Sequence, residues 1–139
     1  MSVYGMGSMF SSTDEQLKNF VKDGFACIGW RCEDKPELYE ILNDIKIGDI
    51  IYIKSLYHAS KAMKVKAVGI VTSELKRQNT HQGYENCENE IGVKWLNSSI
   101  NKYIIIDDDR LKERKGSLFA ETNKDYICLL YTSDAADEL

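Results

Sequence analysis

Apolar residues recur at helical spacing in two stretches of the chain and at strand spacing in several others. Leu38, Ile41, Leu42 and Ile45 stand at i, i+3, i+4 and i+7, the spacing that lines one face of an α-helix. Asp34 and Glu37 precede them as a capping-box-like pair, with Pro36 in the first turn where its missing N–H does no harm. Gly48-Asp49 then reads as a turn feeding a strand from Ile50 to Ser55, with Ile51 and Ile53 on one side and Tyr52 and Lys54 on the other. A loop carrying Tyr57 and His58 leads to a second strand, Lys64 to Thr72. The polar residues 73–90 then read as a mobile loop, and Gly92 to Leu96 and Tyr103 to Ile106 as two more strands. Nearer the start, Thr13 and Gln16 form a capping box, and Leu17, Phe20 and Val21 predict a short helix from about Asp14 to Lys22 that stops at Gly24. Phe25 to Trp30 reads as a buried strand. The first ten residues are apolar but broken by Gly5 and Gly7, which suits a strand or loop in close backbone contact. Short strands with local helices predict an α+β barrel rather than a βαβ sheet.

Composition narrows the class without changing that pattern. The 139 residues are 43% hydrophobic and 29% charged, which fits one globular domain. We find no signal peptide, no apolar run long enough to span a membrane and no repeat, so a cytoplasmic protein is expected. Cys27, Cys32, Cys87 and Cys128 form no Cys-x-x-Cys pair, and with only two histidines they predict reduced thiols rather than a zinc site. No cofactor is expected. Cys128 to Glu138 matches, residue for residue, the translation of a transposase-type sequencing adapter. We therefore expect one domain over residues 1–127, shortened at its C-terminus, with 128–139 an artefactual tail whose deletion costs less than about 0.5 kcal/mol. Removing the acids Asp134, Asp137 and Glu138 from the net charge of −4 leaves −1, so overall acidity does not exclude an anionic partner. Charge is also segregated. Lys54, Lys61, Lys64, Lys66, Lys76 and Arg77 face a single acid, Glu74, over residues 54–77, which fits either a track for phosphates or an edge protected by lysines.

The helix ending in Ile45-Lys46-Ile47-Gly48-Asp49, the strand with Tyr52 and Lys54-Ser55, and the return strand with Val68-Gly69-Ile70-Val71 resemble the core of a PUA-like barrel, especially of EVE-type domains. The resemblance covers roughly residues 25–96. It implies a small PUA-like, EVE-like β-barrel with two or three flanking helices, and nucleic-acid binding in which an aromatic-lined pocket cups a single, often modified, base. The chain begins with Tyr4-Gly5-Met6-Gly7-Ser8 where such domains carry an aromatic-rich first strand.

Reading an extruded base needs a flat ring for stacking, with a few donors and acceptors for the polar edge. Trp30, Tyr52, Tyr57 and Trp95 are candidate rings, although a tryptophan ending an apolar strand also serves as core or rim. Ser8, Ser55 and the backbone around Gly5 and Gly7 are candidate edge contacts, and Lys54 shares the face of Tyr52. Catalytic chemistry finds less support. His58 and His81 have no nucleophile or Glu-x-x-His signature nearby, and Asp107-Asp108-Asp109, which could hold Mg²⁺, runs at once into Arg110, Lys112, Arg114 and Lys115. The expected function is a non-catalytic binding module for nucleic acid or a nucleotide. Two alternatives remain open: a protein that sequesters a small nucleotide signal, and the recognition domain of a larger nuclease or ATPase. No membrane partner is expected, and the sequence names no protein partner.

Overall fold

Asp49 shows how the Gly-Asp turn organises the fold. In the computed structural model, which describes residues 1–10, 14–57, 59–76 and 88–137, with side chains up to Leu130, its carboxylate accepts the N–H of Lys46 at 2.9 Å and that of Ser2 at 2.9 Å. Gly48 takes a positive φ of 93° at this turn, a conformation that glycine adopts without strain. The two bonds tie the start of the chain to the start of the next strand, and Ile50 N–H donates to Ser2 O beside them. The first strand, β1 (Val3–Gly7), therefore runs parallel to β3 (Ile50–Tyr57), with Val3 opposite Ile50 and Gly7 opposite Lys54.

Between them come α1 (Leu17–Asp23), β2 (Phe25–Ala26) and α2 (Pro36–Asp44). After β3 follow β4 (Ala62–Val71), β5 (Ile91–Asn97), β6 (Lys102–Ile105), α3 (Asp108–Lys112), β7 (Leu118–Glu121) and α4 (Lys124–Asp137). The strands form one mixed sheet in the order β2-β5-β4-β3-β1-β7, with β6 also paired to β4. Only the β1–β3 pair is parallel among these ladders. The sheet curls into a half-barrel flanked by four short helices among the described residues.

Both faces of β3 are buried from Ile50 to Lys54, and they feed two separate cores. Ile51 and Ile53 join Tyr4, Met6, Phe20, Phe25, Tyr39 and Leu42 on the side of α1 and α2. Ile50 and Tyr52 join Met63, Val65, Ile104, Leu111, Phe119, Tyr126 and Leu130 on the side of α3 and α4. The predicted alternation is present, but the Tyr52 side is a core rather than an open surface.

Other departures have local causes. Helix α1 starts at Leu17, where the Glu15 carboxylate accepts the Leu17 N–H at 2.9 Å. Thr13, the expected cap, lies outside the described residues. The strand expected over Phe25–Trp30 shortens to two residues because a side chain replaces a partner strand. Asn89, fully buried, accepts the Ile28 N–H and donates to the Ile28 carbonyl, both at 2.9 Å. Residues 73–76 and 88–90 are ordered by a bridge between Lys76 and Glu90, and the rest of the expected loop lies outside the described residues. Cys27 is buried and disulfide-bonded, which corrects the expectation of four reduced thiols.

Helix α4 runs through the expected boundary at residue 127. Leu130 is buried in the second core, and Leu129 packs against it. Ending the chain after Ile127 should destabilise it by at least about 2 kcal/mol, the lower end for loss of a buried leucine side chain. Urea unfolding of the full and shortened chains checks this, and a loss under about 0.5 kcal/mol would contradict the packing.

Candidate nucleic-acid interface

Strands β1 and β3 end side by side, and the segment leading into β7 crosses their ends. That juxtaposition opens a hollow of about 300 Å³ lined by Gly7, Ser8, Met9, Lys54, Ser55, Leu56, Lys115, Gly116 and Ser117, near the lower end of the roughly 300–1,000 Å³ range of ligand sites. Two further recesses adjoin it around Trp30. One of about 320 Å³ shares Lys115, Gly116 and Ser117 and adds Lys35, Glu37 and Leu38. The other, of about 210 Å³, shares Gly7, Met9 and Ser117 and adds Phe10 and Gly29. A separate hollow of about 370 Å³ beside Asn43–Ile47 and Glu74-Leu75 has no aromatic lining.

The wall made by Lys115–Ser117 is held by hydrogen bonds from three directions. Lys54 Nζ donates to Gly116 O at 2.8 Å, Trp30 Nε1 donates to Ser117 Oγ at 3.0 Å, and Gly7 N–H donates to Ser117 O at 2.9 Å. Beneath it lies a buried ion pair. Arg114 donates through Nε to Glu121 Oε1 at 3.1 Å and through Nη2 to Oε2, while Nη1 donates to Arg110 O at 2.7 Å. Glu121 also accepts the Tyr52 hydroxyl at 2.7 Å and the Asn123 N–H at 3.2 Å. Burial alone would lower the Arg114 pKa, but the Glu121 bonds outweigh it and the net shift is upward. Burial, with the Glu121 charge beside it, pushes the Tyr52 hydroxyl far above its ordinary range. Arg114 and Glu121 close an eight-residue segment onto itself, which presents Lys115–Ser117 to the hollow.

Four of the seven expected site residues meet here. Ser8, Lys54 and Ser55 line the central hollow, and Trp30, 42% exposed, stands between the two recesses. The Ser8 hydroxyl, however, is buried and donates to Glu15, so it forms wall rather than an open donor. Lys35 Nζ lies 5.1 Å over the Trp30 ring. Lys54 is 7% exposed and lies 5.6 Å from the Phe119 ring centroid. Burial, helped by the nearby Lys66 charge, lowers its pKa to about 8.

The other three residues are elsewhere. Tyr52 is 1% exposed and packs edge-on against Phe119 at 6.1 Å, so it has no free face for stacking and acts as core beneath the site. A side chain at Gly5 would overlap both of those rings, so the Gly5 backbone is covered as well. Trp95 donates from Nε1 to Phe20 O at 2.9 Å and packs against the first core, outside the hollows. Tyr57 ends β3 beside Tyr103. Lys115, Gly116 and Ser117 were not expected. A Gly-Ser pair before the apolar Leu118-Phe119 is the turn-then-strand signal that points to them. Among the described residues, no cluster of three His, Cys, Asp or Glu side chains could hold a metal, and no helix is long and apolar enough to cross a membrane.

No protein-family profile and no curated protein matches this sequence. Solved structures do match in fold. Human THYN1, in a complex with DNA containing 5-methylcytosine, is 14% identical over 94% of this chain and 96% of that one, with a TM-score of 0.60. Rpa0253 from Rhodopseudomonas palustris is 10% identical over 97% and 94%, with a TM-score of 0.60. The YTH domain of Zygosaccharomyces rouxii MRB1, in a complex with N6-methyladenosine RNA, is 12% identical over 94% and 84%, with a TM-score of 0.54. The half-barrel shares the fold of these structures, in agreement with the small α+β barrel expected from the sequence.

Two predictions follow the geometry. Glu121→Gln leaves the Arg114 charge buried without its partner and should cost about 3–5 kcal/mol in chemical denaturation; a loss under about 1 kcal/mol would remove the clamp from the account. For Lys54, the folded-state pKa of about 8 lies below the value of about 10.4 in an unfolded chain. The unfolded state therefore binds more protons between these values, and stability from this group rises with pH across that window. Urea unfolding between about pH 8 and 10 should show that rise in the parent and a flatter profile in Lys54→Met; equal profiles would contradict the assignment.

Proposed function

Proceeding from the PUA-like, EVE-type fold, we propose that the protein is a nucleic-acid binding module that takes one base of a strand into the hollows around Trp30. The observation that supports this best is the convergence of an exposed indole, two lysines and a glycine-lined wall on one site. Trp30 supplies the stacking surface. Lys54 and Lys115, with no acid among the residues lining the central hollow, supply positive charge for a phosphate or a base carbonyl. Gly7 leaves open space where a side chain would project, so a flat ring can approach the backbone there. The likeness to structures solved with 5-methylcytosine DNA and N6-methyladenosine RNA supports a modified base as the ligand. The Ser8 hydroxyl, which donates to Glu15, is fully buried and so not open to a ligand, and we read the site as binding without catalysis.

Fluorescence anisotropy with single-stranded DNA and RNA oligonucleotides carrying one central 5-methylcytosine or N6-methyladenine tests the reading. Trp30→Ala should weaken binding by about tenfold, within the 1–3 kcal/mol that base–aromatic stacking contributes. Gly7→Leu should block the hollow while leaving thermal stability intact, because nothing lies within 4 Å of a Cβ built there. Unchanged affinity in both variants, or no binding by the parent, would overturn the proposal. An affinity that barely responds to salt would instead indicate a sequestered mononucleotide.

A further inference from the structure

Outside the hollows, the outer face of β3, β4 and β6 carries two exposed tyrosines and a lysine. Ser55 pairs with Lys64 and Lys64 with Tyr103; one row further, Tyr57 pairs with Ala62 and Ala62 with Ile105. Directly paired residues project from the same face, as do residues two apart along a strand. These six positions therefore form one patch two rows deep. Tyr57 is 43% and Tyr103 53% exposed, their ring centroids are 6.0 Å apart, and Lys64 Nζ lies 5.8 Å from the Tyr103 centroid. Such aromatic area left open to water on a sheet face marks an interaction surface. None of the six positions is acidic.

The patch is continuous with the hollow. Ser55 belongs to its first row and also lines the hollow, and Tyr57 follows two residues along the same strand face. We propose that Tyr57, Tyr103 and Lys64 form a stacking platform for the nucleotides that flank the inserted base, so that the protein holds a single-stranded segment rather than an isolated nucleotide. Aromatic faces beside an ammonium suit a single strand, because every base has a face to stack and every link carries a phosphate. A protein partner would use the same apolar area, mainly Ile105, which is 73% exposed, and is one outcome of the test. The inference rests on the reading of the hollow as a base site, and it adds a second, separable surface.

The test compares two ligands of one chemistry, a 12-nucleotide single strand with a central modified base and the corresponding modified mononucleotide 5′-phosphate. Tyr57→Ala/Tyr103→Ala should weaken the 12-mer by about tenfold or more and leave the mononucleotide unchanged. Lys64→Gln should lower the slope of log K against log salt for the 12-mer by about 0.7, the value for one phosphate contact on a single strand. Trp30→Ala should weaken both ligands. If the tyrosine variant binds the 12-mer as the parent does, or loses both ligands equally, the platform is overturned while the Trp30 site stands. If Trp30→Ala has no effect and the tyrosine variant still loses the 12-mer, the platform stands and the base site falls. Self-association that disappears in the tyrosine variant while 12-mer binding persists would assign the patch to a protein interface and overturn the proposal.

Discussion

The buried ion pair between Arg114 and Glu121 is the interaction on which the site depends. Two charges withdrawn from water are costly unless their hydrogen-bonding capacity is met, and here Glu121 accepts from Arg114, the Tyr52 hydroxyl and the Asn123 N–H together. Those donors come from the segment before β7, from β3 and from the residue preceding α4, so one carboxylate joins three parts of the second core. The aromatic rings of Tyr126 and Phe119 lie 4.7 and 5.9 Å from the Arg114 guanidinium and exclude solvent from it. Because the pair closes residues 114–121, it fixes the backbone that Lys54 and Gly7 bond on the other side, and with it the Ser117 hydroxyl that accepts the Trp30 indole N–H. The hollow is the rim of this clamp.

That dependence explains what could be read from the sequence. Helix α2 and strands β3 and β4 were legible because their signals are local: apolar spacing, a proline in the first turn, a Gly-Asp turn. The resemblance to a PUA-like core rests on those same residues. Ser8, Trp30, Lys54 and Ser55 lie together because β1 pairs in parallel with β3 and Trp30 bonds Ser117 beside their ends, a long-range pairing that no local pattern announces. Tyr52 was misread for a physical reason: strand alternation tells which side a residue faces, not whether that side is covered. Its cover comes from β7, α3 and α4, whose residues follow the last strand expected from the pattern. Arg114 looked like one more charge in a basic run, since only a partner seven residues away, across a turn, makes it a core residue. Asn89 was hidden in the same way, because a side chain that completes a strand's hydrogen bonds leaves no periodic trace.

Trp30 and Trp95 show how position decides between two identical side chains. Each indole N–H is bonded, to Ser117 Oγ and to Phe20 O respectively. The Trp95 bond holds its ring against the first core, whereas the Trp30 bond holds its ring at the rim with both recesses beside it. Under the proposed reading, this rim tryptophan and the adjoining lysines receive the base, and the tyrosine face of β3 and β6 carries the strand onward. The fold shared with proteins solved on methylated DNA and RNA is compatible with that arrangement at 12–14% identity, and the residues that would do the work are this chain's own.

The most direct test of the account is an amide and indole chemical-shift titration of the ¹⁵N-labelled protein with a single-stranded oligonucleotide bearing one methylated base. The account predicts that the Trp30 indole N–H and the amides of Gly7, Gly116 and Ser117 shift together while the Trp95 indole stays in place. Shifts centred on Trp95, or on the separate hollow at Asn43–Ile47, with the Trp30 indole unmoved, would contradict it.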